Sequence, residues 1–148
     1  MRAFIADHPG DIFGLGEMMN LPGVYAADEE TCERIDVGRL TVSGQVDGHA
    51  PLTAGRDLNA YAAAGIIADH ESTRPAEALD KLSRGMYVML REGTCSHDLA
   101  QLAPILRDNP VLARRCCFAT DDRAPSDALS VGMIDNACRV AIEAGIDP

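Results

Sequence analysis

An α/β fold built on a parallel sheet is the class this sequence predicts, on three observations. Short apolar runs alternate with longer amphipathic stretches five times, prolines and glycines punctuate those stretches at opposite ends, and every run closes on a polar, chemically capable side chain. Strands that alternate with helical stretches argue for crossover connections, which parallel strands require.

The first run, DIFGLGEMM (11–19), ends around Glu17, a carboxylate behind Phe13, Leu15 and two glycines. Its flanks look buried, and a buried carboxylate is costly unless it is paired or metal-bound. DEETCERIDVGRL follows, its acids gathered where a helix start favours negative charge. TVSGQVDGHA (41–50) closes on His49, and AGRDLNAYAAAG reads as a loop-to-helix entry ended by Gly65. GIIADHE (65–71) presents His70 and Glu71. In RPAEALDKLSRG, Pro75 stands early and Gly85 late, the asymmetry of a helix, with Ala78, Leu79 and Leu82 at helical spacing. GMYVMLREG (85–93) ends in Arg91 and Glu92, and Leu99, Leu102 and Leu106 repeat the spacing in SHDLAQLAPILRD. RRCCFATDD (114–122) ends in Asp121 and Asp122, and SDALSVGMIDNACRVAIEAG reads as a last helical stretch closed by Gly145.

With 148 residues and 47% hydrophobic content, one domain over 1–148 is expected. The net charge of −10 argues against nucleic acid and against an anionic membrane surface, because both draw on clustered Lys and Arg. Five cysteines without a C-x-x-C pair point to a reducing compartment, with no disulfides expected. No apolar stretch approaches the roughly 18 residues of a membrane span and no signal-peptide pattern opens the chain, so a cytoplasmic protein is expected.

In parallel α/β folds, and above all in (β/α)₈ barrels, catalytic side chains converge at the C-terminal ends of the strands. Glu17, His49, His70 and Asp121 fall at four such ends. Singly each is a weak signal. Together two histidines and two carboxylates on separate units make a mixed nitrogen and oxygen donor set, which suits Zn, Fe or Mn. Met18, Met19, Met86 and Met89 read as core or pocket lining, and His8 and His97 as surface residues.

Six motifs in order, GLGEMMN with PGV, DGHAP, GRDLNAY, DHE, GMYVMLREG and TDDR, closely resemble the bacterial adenine deaminases of the amidohydrolase superfamily. The resemblance covers essentially the whole chain. It implies a metal-dependent (β/α)₈ hydrolase in which a binuclear centre, Mn or Fe(II) with Zn as an alternative, activates water to attack C6 of adenine. By the same resemblance Glu17 would lie between the metals or beside the ring and shuttle a proton to the purine. His49 and His70 would be metal ligands, and Asp121 a ligand that also takes the proton of the attacking water. Glu71, Arg91 and Asp122 would contact substrate or support the ligands. The H-x-E and P-C-x-x-C signature of the other zinc deaminases is absent.

The departure from that pattern is large. A whole barrel takes eight units and typically about 250 residues, whereas five are counted here, read as strands four to eight. The family's first-strand H-x-H is not found. Five strands cannot close a barrel, so open edges are expected, with association into homo-oligomers or instability as their consequence. Little or no turnover is expected from the chain alone. Two other readings remain beside adenine deamination: a related amidohydrolase acting on another aryl amine or cyclic amide, and a non-catalytic remnant or interaction module.

Overall fold

In the computed structural model, which describes residues 1–147, the five expected strands form one all-parallel sheet in the order β1-β2-β3-β4-β5. The strands are β1 (Gly14–Met18), β2 (Gln45–Gly48), β3 (Ala68–Asp69), β4 (Tyr87–Arg91) and β5 (Cys116–Ala119). The helices are α1 (Arg2–Asp7), α2 (Leu21–Tyr25), α3 (Glu29–Gly38), α4 (Gly55–Ala63), α5 (Pro75–Ser83), α6 (Leu99–Asp108), α7 (Pro110–Ala113), α8 (Pro125–Ser130) and α9 (Ile134–Glu143). Sequence order and spatial order coincide, so every crossover delivers the chain to the neighbouring position. Among the described residues β1 and β5 each pair on one side only, which leaves the two open edges that five strands predict.

Helix ends follow the expected chemistry. Asp28 caps α3 by accepting the Thr31 backbone N–H at 3.0 Å. Two features depart from the sequence reading. The last helical stretch is two helices, because Gly132 takes φ +116° between α8 and α9, a conformation that ends a helix. And α2 is an extra turn, capped when Asn20 accepts the Gly23 N–H at 3.1 Å.

Two apolar clusters hold the layers together. Met18, Val46, Leu58, Tyr61 and Ile66 form one with α2, α3 and α4. Val88, Leu90, Leu82, Leu99, Leu102 and Ala137 form the other with α5, α6 and α9. The buried flanks expected around Glu17 are a correction: Phe13 is 68% exposed and the Glu17 side chain 42% exposed, because β1 is an edge strand with one neighbour. Met18 and Met86 are core as expected, whereas Met19 is exposed. No helix among the described residues is long and apolar enough to cross a membrane.

Gly48 sits where the chain has no room for a side chain. A Cβ there would meet the Ala68 carbonyl oxygen at 2.6 Å and Ile66 and Tyr61 carbons at 2.8 Å. Gly48→Ala should therefore force β2 away from β3 and cost about 1–3 kcal/mol, the usual penalty of overpacking. Urea unfolding of the two proteins measures it; an unchanged midpoint would contradict this account of the β2–β3 contact.

Candidate active site

Side chains alternate across a strand, so the register decides which residues share a face. Gly48, Asp69, Val88 and Cys116 are partners in one row, and Asp47, Ala68 and Tyr87 in the row before it. The first row faces the helices, where Val88 is buried in a core cluster. The other face therefore carries Asp47, His49, His70, Met89 and Arg91. Glu17, whose neighbour Met18 turns into the core, joins them. Glu17, Asp47, His70, Met89, Ala119 and Asp121 line a hollow of about 280 Å³ there.

The predicted residues converge. Oε2 of Glu17 is 3.0 Å from His49 Nδ1 and 3.0 Å from His70 Nε2. Glu71 Oε1 lies 3.3 Å from His70 Nε2 and 3.6 Å from His49 Nδ1. Two overlapping groups of donors result, Glu17 with His49 and His70, and His70 with Glu71 and Asp121. Donors held about 2.1 Å from one cation stand roughly 3.0–3.4 Å apart in octahedral or tetrahedral arrangements, which matches the 3.0 Å from Glu17 Oε2 to each histidine nitrogen. The donor set, imidazole plus carboxylate, suits Mn, Fe or Zn.

Arg91 organises the other side. Its Nη1 donates to Asp121 Oδ2 at 3.0 Å and to Glu71 Oε1, while Nε donates to Asp98 Oδ2 at 3.0 Å. Burial works against the guanidinium charge, but Glu71, Asp121 and Asp98 outweigh it and hold Arg91 more firmly protonated than usual. Asp121 takes a left-handed φ of +49°, and its successor is tied down where the Asp122 carbonyl accepts the Thr94 N–H at 2.8 Å. Asp122 itself is exposed and enters through that backbone bond.

Four residues in and beneath this site escaped the sequence reading. Asp47 projects into the hollow two positions before His49; burial raises its carboxyl above the usual range, and His70 partly offsets this. Tyr61 donates its hydroxyl to the Met18 carbonyl at 2.6 Å and accepts the His49 N–H at 3.0 Å, joining the tips of β1 and β2; burial drives its phenol pKa upward. Beneath β2 and β3 the Asp69 carboxylate meets Lys81 Nζ at 2.6 Å, both side chains fully sealed from water. A signal for Lys81 existed: it shares the buried helical stripe of Ala78 and Leu82, a place for an apolar residue.

At the end of β4, His97 Nδ1 stands 2.7 Å from Glu92 Oε1. His97 is a surface residue as expected, 61% exposed in its side chain, yet its hydrogen bond to Glu92 raises its pKa above the ordinary 6.5, with desolvation opposing. A raised folded pKa means the pair stabilises the fold fully below about pH 6.5, the unfolded value, and loses that contribution as pH rises through the folded one. An NMR titration of His97 should give a value above 6.5 that falls in Glu92→Gln; a wild-type value at or below 6.5 would contradict the pairing.

No protein-family model matches the chain. Similar curated proteins are nonetheless plain. The chain is 49% identical over 146 residues to an adenine deaminase of Nitratidesulfovibrio vulgaris strain DP4, covering 99% of this chain and 25% of that protein. It is 50% identical over 144 residues to an adenine deaminase of Methylobacterium sp. strain 4-46, covering 96% of this chain and 24% of that protein. An adenine deaminase of Brucella abortus strain 2308 is 46% identical over 143 residues, 97% of this chain and 24% of that protein. The chain thus spans about a quarter of the length of the curated relatives it matches, and over nearly its whole length it is homologous to the adenine deaminases.

Proposed function

We propose that these residues form part of the active site of an adenine deaminase, converting adenine and water to hypoxanthine and ammonia. The observation that carries the reading is the meeting of Glu17, His49 and His70, from three successive strand ends, in a chain about half identical to proteins of that name. The five-stranded sheet is read as consecutive units of a (β/α)₈ barrel of the metal-dependent hydrolase type. Neighbouring units would pair the free edges of β1 and β5.

His49 Nδ1, His70 Nε2 and Glu17 Oε2 would hold a divalent cation, with Glu71 and Asp121 as donors for a second; Mn or Fe(II) fits, and Zn is an alternative. A cation bound there lowers the pKa of water to near 7, so hydroxide is available at neutral pH. The remaining work falls to the chain. Asp121, held by Arg91, accepts a proton from the attacking water while Glu17 gives one to N1 of the purine. As the C6–N bond breaks, Asp121 returns its proton to the amine, which leaves as ammonia, and Glu17 recovers one from the C6 hydroxyl. Two carboxyl groups that line one hollow can thus move every proton without an outside acid or base. The balance is one water consumed and both carboxylates restored.

The test is a chimera in which this chain replaces the matching quarter of the N. vulgaris relative. It should form hypoxanthine from adenine when supplied with Mn²⁺ or Fe²⁺. Glu17→Gln and Asp121→Asn in the same chimera should lower kcat by about 10²–10⁴-fold, the range of general acid–base catalysis. The chain by itself should release little or no ammonia. A folded, metal-loaded chimera that leaves adenine untouched would sink the assignment.

A further inference from the structure

The Asp69 carboxylate is bonded in an unusual place. Its Oδ1 accepts the Ala50 N–H at 2.7 Å and its Oδ2 the Glu71 N–H at 3.0 Å. Those are the peptide groups directly after His49 and His70. One carboxylate therefore grips both histidine-bearing loops at once. Lys81 Nζ lies behind it, 2.6 Å from Asp69 Oδ2, 2.8 Å from the Ala50 carbonyl, 3.0 Å from Glu77 Oε1 and 3.1 Å from Ser72 Oγ. An ammonium has three protons to share among these four oxygens. Both main-chain polar groups of Ala50 are thus engaged: Asp69 takes its N–H and Lys81 its carbonyl.

We propose that Asp69 and Lys81 are positioning residues that set the separation of His49 and His70 in the metal site, so that the donors are arranged before any cation arrives. The inference rests on the metal-binding reading above and extends it to residues that touch neither cation nor substrate. The geometry favours this over simple packing. An apolar pair would fill α5's contact with the sheet, whereas only a carboxylate offers two acceptor atoms to two peptide N–H groups from different strands. The neighbouring loop is tied in the same way, since Glu77 accepts the Leu52 N–H at 2.8 Å through Oε1 and the Thr73 N–H at 3.3 Å through Oε2.

The experiment compares Co²⁺ binding, by its visible d–d absorption, in the wild-type 148-residue chain and in the charge-neutral double variant Asp69→Asn with Lys81→Met. An asparagine keeps one acceptor and turns an NH₂ toward the other peptide N–H, so one histidine loop is released. The variant should bind Co²⁺ about 10–100-fold more weakly, with shifted bands, the usual scale for losing outer support of metal ligands. A folded variant with unchanged Kd and unchanged bands would show the pair to be merely structural and overturn the proposal. A wild-type chain that takes up no Co²⁺ would overturn the metal reading and the positioning role with it. Should the variant not fold, hydrogen exchange in the metal-free wild type decides: Ala50 and Glu71 amides slowed at least 10²-fold support pre-arrangement, and unprotected amides refute it.

Discussion

Because side chains alternate across a strand, the four parallel strands β2 to β5, paired in continuous register, divide their residues between two very different surroundings. One row passes through Gly48, Asp69, Val88 and Cys116 and lies under the helices; the adjoining row passes through Asp47, Ala68 and Tyr87. A slip of one residue in β2 would send His49 into the core and Gly48 to the open face. The contacts that forbid such a slip are steric, since the Gly48 Cα packs so close to the Ala68 carbonyl and the Tyr61 ring that no side chain fits. Site geometry is in this sense a consequence of packing on the far side of the sheet. The two open edges do not loosen it, for the histidines sit on β2 and β3, inside the sheet.

The polar groups beneath the site are an expensive way to build a core. Removing one partner of a buried ion pair typically costs about 3–5 kcal/mol, yet replacing the whole pair by well-packed apolar groups is often neutral or stabilising. Stability alone therefore gives little reason to seal Asp69 and Lys81 from water between α5 and the sheet. What the pair provides and leucines could not is direction: hydrogen bonds to particular peptide groups at the tips of β2 and β3. Tyr61 does the same between β1 and β2, and Arg91 between the ends of β3, β4 and β5. Four strand ends that carry donors are cross-linked by Tyr61, the Asp69–Lys81 pair and Arg91.

Much of this was legible from the chain. The alternation of runs located all five strands, and the polar residue ending each run marked the side chains that converge, Glu17, His49, His70, Arg91 and Asp121 among them. Periodicity reports which residues repeat and says nothing of which strand is an edge, so Glu17 looked buried when it is half exposed. Gly132 was hidden for a related reason, since an isolated glycine within a helical pattern is tolerated at a cost of about 1 kcal/mol and does not by itself mark a break. Glu71 was placed among supporting residues although its carboxylate reaches both histidines, because a one-residue step along the chain does not reveal how the loop turns. Asp69 and Lys81 lie twelve residues apart on different elements, and only tertiary folding discloses that they meet.

On the metal reading proposed above, the two overlapping donor groups are not equivalent, and Arg91 makes the difference. Its Nη1 already bonds Glu71 and Asp121, two of the three members of the group that includes His70. A cation entering there meets a fixed positive charge at close range, a repulsion of several kcal/mol at about 4 Å even with an effective dielectric near 20. Glu17, His49 and His70 face no such competitor, since among the described residues neither Lys nor Arg bonds any of the three side chains. A first cation therefore belongs with Glu17, His49 and His70. Occupation of the second group requires Glu71 or Asp121 to be released from Arg91, and Asp98 offers the guanidinium a second carboxylate on which to stay when that happens.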